Sequence, residues 1–418
     1  MVLLLDCDKE FSGYRRVECP DGVREKLLAL LVREKKEPGE NWHASYSDYL
    51  AVPKVPSSDD YWQDQFEAWT SVVTSSLRIL GAALMGPIHN ELQRIGLESQ
   101  SKVVLLPAGI LSALPLASAQ LSDSFRFEDH WEVSLIPNLS MLELAQEEIV
   151  EKRPHQCLIV TGAANSGRAA LPFVSREVQL LEKAVFSECR KSLDGKEAGL
   201  EGVIGGLTGA SILHFASHGR YDSDDPERSG IQLSGNQWLT VSRLKATADS
   251  KLSARLAYLS CCETGILGKT ALPDEFVGLL PAFLQCGARA TIGALWPVCD
   301  DSAMLMSWRF FKEFLDEEGC EKCHPALALA RAKKWMSEVK LTTLIEEGLI
   351  SPGEGLGFAE SRFGYVRRRR FDEADDSEKK GRKMEYLDET EQSLISSIGD
   401  LRIYSSPADW AAYVVVGV

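Results

Sequence analysis

The sequence lacks a long apolar run, a basic leader segment and an excess of positive charge. Without a stretch of about 18 consecutive apolar residues, a transmembrane helix is not expected. The opening segment MVLLLDCDKEF has no basic stretch ahead of its apolar residues and soon becomes acidic, unlike a secretory signal peptide. A formal net charge of −15 argues against nucleic acids and anionic membranes as direct partners. We therefore expect a cytoplasmic protein.

Regular cysteine spacing and internal repeats are also missing. The ten cysteines follow no disulfide framework, so we interpret them as reduced thiols. No self-similarity at solenoid periods is visible, which argues against a repeat architecture. In contrast, 418 residues with 44% hydrophobic side chains can form a large core, and this length is typical of about two domains.

The first 100 residues predict a helical N-terminal region, 1–100. Apolar side chains recur there at spacings of three and four, which is typical of one face of a long amphipathic helix. This stripe, which we expect to be core, consists of Trp62, Phe66, Trp69, Val73, Leu77, Leu80 and Leu84.

From Lys102 onward, short apolar runs alternate with helical stretches. The runs are KVVLLPAG, EVSLIPN, CLIVTGAA, SILHFASHG, RLAYLSCC and ARATIGALW. Helices are predicted over 176–185, over 275–286 with Gly287 just past the end, and from Pro325 onward. This alternation predicts the α/β class, with a mostly parallel sheet flanked by helices.

A charged segment precedes the last apolar run, WAAYVVVGV. Residues 367–383 hold eight basic side chains, among them Arg367, Arg368, Arg369 and Arg370, against five acids. Such a mixture cannot bury enough apolar surface to fold alone. We interpret it as part of an exposed loop inserted over about 345–405.

Two reactive residues each follow an apolar run and precede a small turn. His218 ends SILHFASH, and Cys262 ends RLAYLSCC. Strands of a parallel sheet carry their chemistry at the carboxyl edge, where the two side chains would meet. A cationic imidazole lowers the pKa of a nearby thiol and makes it a better nucleophile, so the pattern indicates a cysteine hydrolase. Cys261 is the rival thiol, but successive strand side chains point to opposite faces, so only one of the two cysteines can face the cleft. His214, four residues before His218, is expected to be a packed core residue.

The same segments resemble, in order, the motifs of the CHAT domain, a branch of the caspase-like peptidases related to separase. The later motifs are SHGRYDSDDPERSGIQLSG, LSCCETG, FLQCGARATIGALWPVCDDSA and PADWAAYVVVGV. KVVLLPAGILSALPLASA and LIVTGAANSGRAALPFVSREVQLLEKA resemble its earlier blocks. The resemblance runs from about residue 70 to the C-terminus and implies a caspase-like domain over 101–418, with an inactive half at 101–150 and an active half at 155–418.

This resemblance implies a His218–Cys262 dyad, with the backbone amides of Gly219 and Cys262 forming the oxyanion hole. It also implies limited, regulated endopeptidase cleavage of a protein partner. The family's frequent tetratricopeptide repeats are missing, so a regulatory or repeat-containing protein is a candidate second partner. The alternative is a catalytically silent CHAT scaffold that binds proteins in signalling.

Two acids are candidates for substrate specificity. In separase-like relatives an acid beyond the next strand receives a basic side chain, and Asp300 and Asp301 stand at a similar place. The alternative is that they stabilise the start of a helix predicted near Ser302. If the specificity pocket is acidic, Arg367–Arg370 become an autoprocessing or autoinhibitory loop; the alternative is a solvated surface loop.

Two further patterns suggest other sites and are rejected. Cys320, Cys323 and His324 match the haem-attachment pattern C-x-x-C-H, but that chemistry needs an exported protein, and zinc would need a second ligand pair nearby. GILGKT resembles the end of a phosphate-binding loop, but Glu263 stands where the pattern requires glycine. We expect neither a cofactor nor a metal.

Overall fold

The computed structural model describes residues 2–5, 14–17, 22, 25, 42–50, 60–145, 156–162, 171–184, 190–222, 224–247, 252–261, 278–363, 395–396 and 398–418. The strands within these ranges are β1 Val2–Leu5, β2 Tyr14–Val17, β3 Lys102–Leu105, β4 Gln120–Ser122, β5 Phe125–Arg126, β6 Glu132–Leu135, β7 Cys157–Thr161, β8 Arg190–Leu193, β9 Ile212–Ser217, β10 Gly219–Arg220, β11 Gly230–Gln232, β12 Trp238–Thr240, β13 Leu256–Cys261, β14 Ala290–Ala294 and β15 Tyr413–Gly417. The helices are α1 Trp42–Leu50, α2 Asp60–Leu80, α3 Gly86–Arg94, α4 Leu139–Ala145, α5 Val174–Ala184, α6 Leu200–Leu207, α7 Val241–Ala246, α8 Leu279–Gln285, α9 Asp300–Phe314, α10 Pro325–Glu338, α11 Leu341–Glu346, α12 Pro352–Phe363 and α13 Pro407–Trp410.

Eight of the described strands form the central sheet, in the order β3-β6-β15-β14-β13-β9-β7-β8. Every neighbouring pair is parallel except β14 with β15, which is antiparallel. All residues of β9, β14 and β15 are buried, because helices cover both faces. The chain therefore has the predicted α/β architecture, a mostly parallel sheet flanked by helices, and its last strand joins the strands of 101–150 to those of 155–418.

The N-terminal region is helical, as predicted, with the short antiparallel pair β1–β2 in addition. All seven residues of the predicted stripe on α2 and the following turn are buried, which confirms them as core. The continuous helical span Tyr61–Arg94 is long and apolar enough to cross a membrane, a feature the sequence analysis did not identify, and 56% of its most apolar window is buried inside the protein. A core helix has these same properties.

The N-terminal helices support the connection between β14 and α9. Trp296 in this connection packs edge-on against Trp42 of α1 and Trp69 of α2, with ring centroids 5.7 and 5.6 Å apart. The Trp296 indole also donates to the Ala408 carbonyl at 2.9 Å. These edge-to-face contacts and the hydrogen bond fix Trp296 in the core. They thereby anchor the short connection that leads from Trp296 to α9 and Asp300.

The predicted helices are present within the described residues. Gly287 follows α8 with φ +108°, a conformation that other residues rarely adopt, and it ends the helix as expected. Lys333 of α10 is buried, and its Nζ lies 2.8 Å from Glu128 Oε2 and 3.0 Å from Ser118 Oγ. This buried pair joins α10 to the 101–150 segment.

The loop predicted over about 345–405 includes the helix α12, Pro352–Phe363. It also includes described residues from 395 onward, which lead to α13 and β15. Arg367, Arg368, Arg369 and Arg370 lie outside the described residues. Their exposure and role remain predictions.

Candidate active site

The two predicted catalytic residues follow neighbouring strands of the central sheet. β9 and β13 pair in parallel, and their last register pair joins Ser217 with Cys261. His218 is the next residue after β9, and Cys262 is the next residue after β13. Cys262 lies outside the described residues, with the rest of 262–277. The topology brings the two strand ends side by side at the carboxyl edge of the sheet, where α/β folds place their sites.

The backbone around His218 is held by the small sheet β10–β11–β12. Gln232 on β11 donates its N–H to the His218 carbonyl at 2.8 Å, and the Gln232 carbonyl accepts from Ser217 Oγ at 2.6 Å. Gly162, just past β7, packs at the same place: a Cβ there would lie 1.9 Å from the Gln232 carbonyl oxygen. Since that oxygen belongs to the backbone, a larger residue would have to displace β11. Two hydrogen bonds and one close approach therefore hold the backbone at His218.

Gly219, the predicted oxyanion-hole donor, begins β10 and has Ile231 as its register partner. Because Gln232 donates to the His218 carbonyl, positions 218 and 232 form a hydrogen-bonded pair. The next pair, Gly219 with Ile231, is then of the non-hydrogen-bonded type, whose N–H groups point away from the partner strand. The Gly219 N–H is directed away from β11, as a donor to a substrate oxygen must be.

Cys261, the rival thiol, is held inside the sheet. Its side chain is 5% exposed, and its thiol donates to the Phe215 carbonyl at 3.4 Å. This hydrogen bond directs the thiol toward the neighbouring strand β9. The assignment of the nucleophile to Cys262 stays a prediction.

His214 is a core residue, as predicted. It is completely buried, and its Nε2 lies 3.0 Å from Oε1 of Glu177, a buried residue of α5. The rings of Tyr258 and Phe311 pack against the imidazole, with centroids 5.4 and 5.6 Å away. The pair lies beneath the carboxyl edge of the sheet rather than in a cleft.

A small pocket opens at the same edge. Its lining residues come from the ends of β9, β13 and β14, from the starts of α9 and β15 and from two flanking positions: Leu171, Ser217, Leu259, Ser260, Cys261, Ala294, Val298, Asp300, Ala303 and Tyr413. Asp300 is the acid among them and is 7% exposed. Its Oδ2 accepts the Phe173 N–H at 2.8 Å, which fixes the carboxyl group at the pocket wall.

The Asp300 carboxyl is poised to change charge near neutral pH. Burial raises its pKa to about 7, the Phe173 N–H holds the pKa down, and the negative charges of Glu177 and Asp301 raise it further. Perturbed carboxyls that line a pocket are frequent at functional sites. A cationic group entering the pocket would favour the ionised form and pair with it.

Asp301, the second predicted specificity residue, is already engaged inside the protein. It is fully buried, its Oδ2 lies 2.9 Å from Arg362 Nη2 of α12, and it accepts the Tyr404 hydroxyl at 2.8 Å. Helix α9 begins at Asp300, two residues before the predicted start, so both acids also stabilise its first turn. The structure separates the two acids: Asp300 lines the pocket, whereas Asp301 binds an arginine of the same chain.

Sequence reasoning missed three residues of this region. Arg362 belongs to a segment that the pattern assigned to a charged loop, and no local signal marks one of its arginines as buried. Ser217 contributes a hydroxyl and Gln232 contributes its backbone N–H and carbonyl to the hydrogen bonds that hold the backbone at His218. In the sequence, only the position of Ser217 next to His218 suggests such a role. Their partners are distant along the chain, so residue spacing does not identify them.

The C-x-x-C-H segment forms a turn and a helix cap. His324 Nδ1 accepts the Ala326 N–H at 3.3 Å at the start of α10, and the Cys323 thiol donates to the Glu313 carbonyl at 3.5 Å. Burial, reinforced by the positive charge of Arg255, lowers the pKa of His324 to about 3. Across the described ranges, no three His, Cys, Asp or Glu side chains are grouped closely enough to hold a metal ion.

Comparison with protein families gives a match that covers most of the chain. A family model described as the CHAT domain matches residues 74–418. No curated protein matches the sequence.

Three solved structures illustrate the similarity to known folds. Two are crystal structures of the Saccharomyces cerevisiae separase–securin complex, at 2.6 and 3.0 Å resolution, with sequence identities of 11% and 12% and TM-scores of 0.43 and 0.39. The matches cover 96% and 76% of this chain but only 20% and 21% of the other, so the chain spans about a fifth of their length. A third, "Structure of Protease", has 10% identity and a TM-score of 0.42, and the match covers 84% of this chain and 68% of that one.

Proposed function

The chain belongs to the CHAT domain family, and we propose that it is a cysteine endopeptidase that cleaves a protein partner at a limited number of sites. His218 and Cys262 form the proposed dyad. The observation that carries the proposal is the register of β9 and β13, whose last paired residues immediately precede these two. The proposed setting is the cytoplasm, where a catalytic thiol stays reduced.

The proposed reaction starts with the transfer of the Cys262 thiol proton to the His218 imidazole. The thiolate attacks the scissile carbonyl, and the amides of Gly219 and Cys262 stabilise the negative oxygen. The imidazolium then protonates the leaving amine, which departs from an acyl-enzyme. Water activated by His218 attacks the thioester, releases the acid product and restores the thiol.

The pocket beside these strand ends supports a preference for a basic residue before the cut. Asp300 stands at its wall, and apolar side chains, among them Leu171, Leu259 and Val298, line other parts of it. A guanidinium in such an enclosed site pairs strongly with a carboxylate because few water molecules compete. The proposed substrate is therefore a protein with arginine or lysine at the cleavage site.

A covalent probe tests the function directly. We expect a peptidyl acyloxymethyl ketone with a terminal arginine to label the wild type at Cys262, and to label neither Cys262→Ala nor His218→Ala. Cys261→Ala is the matched control and should be labelled like the wild type, since its thiol is bonded within the sheet. A proteome-wide search for new N-termini, with wild type against Cys262→Ala, would then identify the substrate. Absence of labelling and of new N-termini would favour the scaffold alternative.

A further inference from the structure

Helix α12 places a buried arginine beside Asp301, the residue that follows the pocket acid Asp300. Arg362 is 6% exposed, and its Nη2 lies 2.9 Å from Asp301 Oδ2 and 3.2 Å from Asp409 Oδ1. The same nitrogen donates to Ser302 Oγ at 3.1 Å. Arg362 thus holds together the first turn of α9, which carries Asp300, and the helix α13, which precedes β15.

The charge balance at this place depends on that one cation. The charges that act on Asp300 are those of Glu177 on α5 and Asp301 on α9. The ionisable groups that contact these two acids are His214 on β9, Arg362 on α12 and Tyr404 before α13, and Arg362 also contacts Asp409 on α13. Glu177 has His214 as its neighbour, whereas Asp301 and Asp409 share Arg362. Without the guanidinium, the buried carboxylates of Asp301, which is next to Asp300, and of Asp409 would lack their cation.

We propose that Arg362 is a positioning residue for substrate selection: its positive charge, which Asp301 shares with Asp409, offsets the repulsion of Asp301 so that Asp300 can carry a negative charge when a basic side chain enters the pocket. The inference rests on the proposed peptidase function. It assigns a task to α12, a helix of the inserted segment, which reaches Asp301 through Arg362 and also packs Phe358 against Phe173.

The physical argument is one of like charges. Asp301 already raises the pKa of Asp300 in the intact protein, although Arg362 compensates its charge. Loss of the guanidinium increases that repulsion, and an uncompensated neighbouring charge raises the pKa of a carboxyl by about one unit or more. Below the pKa, the fraction of ionised Asp300 then falls about tenfold. The KM for a basic substrate rises accordingly, while kcat is unaffected because Arg362 does not contact the reacting atoms.

The test compares Arg362→Met with Arg362→Lys and with the double variant Arg362→Met/Asp301→Asn. A fluorogenic peptide with arginine before the cut is the probe, and KM and kcat are measured from pH 6 to pH 9. We expect Arg362→Met to raise KM about tenfold at pH 6.5 with little effect at pH 9. Lysine should retain most of the affinity, and the double variant should restore it because it removes one negative charge with the positive one. Lys333→Met, which breaks a buried ion pair of another part of the fold, is the control and should leave the pH profile of KM unchanged.

An equal change of KM in Arg362→Met and Lys333→Met, or one that persists at pH 9, would overturn the inference. A second measurement needs no activity: in the Arg362→Met background, the effect of Asp300→Asn on the free energy of unfolding should keep growing to a higher pH than in the wild type, because only the pKa of the folded state rises. A wild type that neither cleaves the peptide nor reacts with the arginyl probe would refute the proposed function instead, and the unfolding measurement would still decide the role of Arg362. If Arg362→Met does not fold, the double variant and Arg362→Lys carry the same comparison.

Discussion

Replacing Asp300 by asparagine should stabilise the protein at alkaline pH and remove its preference for basic substrates. The folded state favours the neutral carboxyl, because burial raises the pKa of Asp300 from 3.8 to about 7. The free energy of unfolding of the wild type therefore falls as the pH rises from about 4 to about 7, and it is constant above that range. Asparagine is neutral throughout, and its side-chain oxygen can still accept the Phe173 N–H.

The magnitude follows from the same values. A rise of the pKa from 3.8 to about 7 corresponds to on the order of 4 kcal/mol at pH 8, at 1.36 kcal/mol for each pH unit. The difference between Asp300→Asn and the wild type should be near zero at pH 4, grow to pH 7 and stay constant above. Urea unfolding followed by circular dichroism from pH 4 to pH 8.5 measures it, with linear extrapolation at each pH.

The neighbouring acid provides a control of opposite sign. Asp301→Asn removes a carboxylate that is 2.9 Å from the buried Arg362, and Asp409 remains as the partner of the guanidinium. The free energy of unfolding should therefore fall, by less than the ~3–5 kcal/mol that leaving a buried charge without any partner costs. The same chemical change one residue apart should thus stabilise at position 300 and destabilise at position 301 when both are measured at pH 8. Destabilisation by Asp300→Asn at pH 8, or an effect of the same size at pH 4, would refute the reasoning about the charge of the pocket.

Three further predictions concern other parts of the molecule. Cys262→Ala and His218→Ala should each abolish peptide cleavage and leave the unfolding curve unchanged, whereas Cys261→Ala should keep most of the activity; an inactive Cys261→Ala with an active Cys262→Ala would move the nucleophile to Cys261. Lys333→Met should lower the free energy of unfolding by about 3–5 kcal/mol, because it leaves the buried Glu128 without its cation. A decrease in the free energy of unfolding of less than about 1 kcal/mol would show that this ion pair contributes little. Purified wild type should contain a nick between residues 367 and 371 that mass spectrometry does not find in Cys262→Ala, or deletion of 366–384 should raise kcat/KM; an intact chain with unchanged kinetics would leave Arg367–Arg370 without a regulatory role.

Much of the architecture could be predicted because it depends on local patterns. The apolar runs of β9 and β13 mark strands whichever partners they choose, since a strand covered on both faces needs apolar side chains throughout. The spacing on α2 marks its buried face for the same reason. Gly287 ends α8 because its φ of +108° favours glycine, and this too is a local property.

The assignment of roles to Asp300 and Asp301 shows where local patterns stop. The two acids are adjacent in the chain and chemically identical, and the sequence analysis treated them alike. Asp301 binds Arg362 and Tyr404, which lie 61 and 103 positions after it in the chain. Asp300 instead accepts the N–H of Phe173, which lies 127 positions before it. No spacing rule relates those positions to α9.

By itself, the sequence determined the α/β class, the helical N-terminal region and the placement of His218 and Cys262 after two apolar strands, because each depends on periodicity or on residues adjacent in the chain. The tertiary structure alone decided that β9 and β13 are neighbours, that β15 lies between β6 and β14, and that Asp300 faces a pocket while Asp301 binds Arg362. The physical reason is that strand order, burial and the charge of a buried group depend on contacts between segments that are far apart in the chain. These contacts exist only once the whole domain has folded.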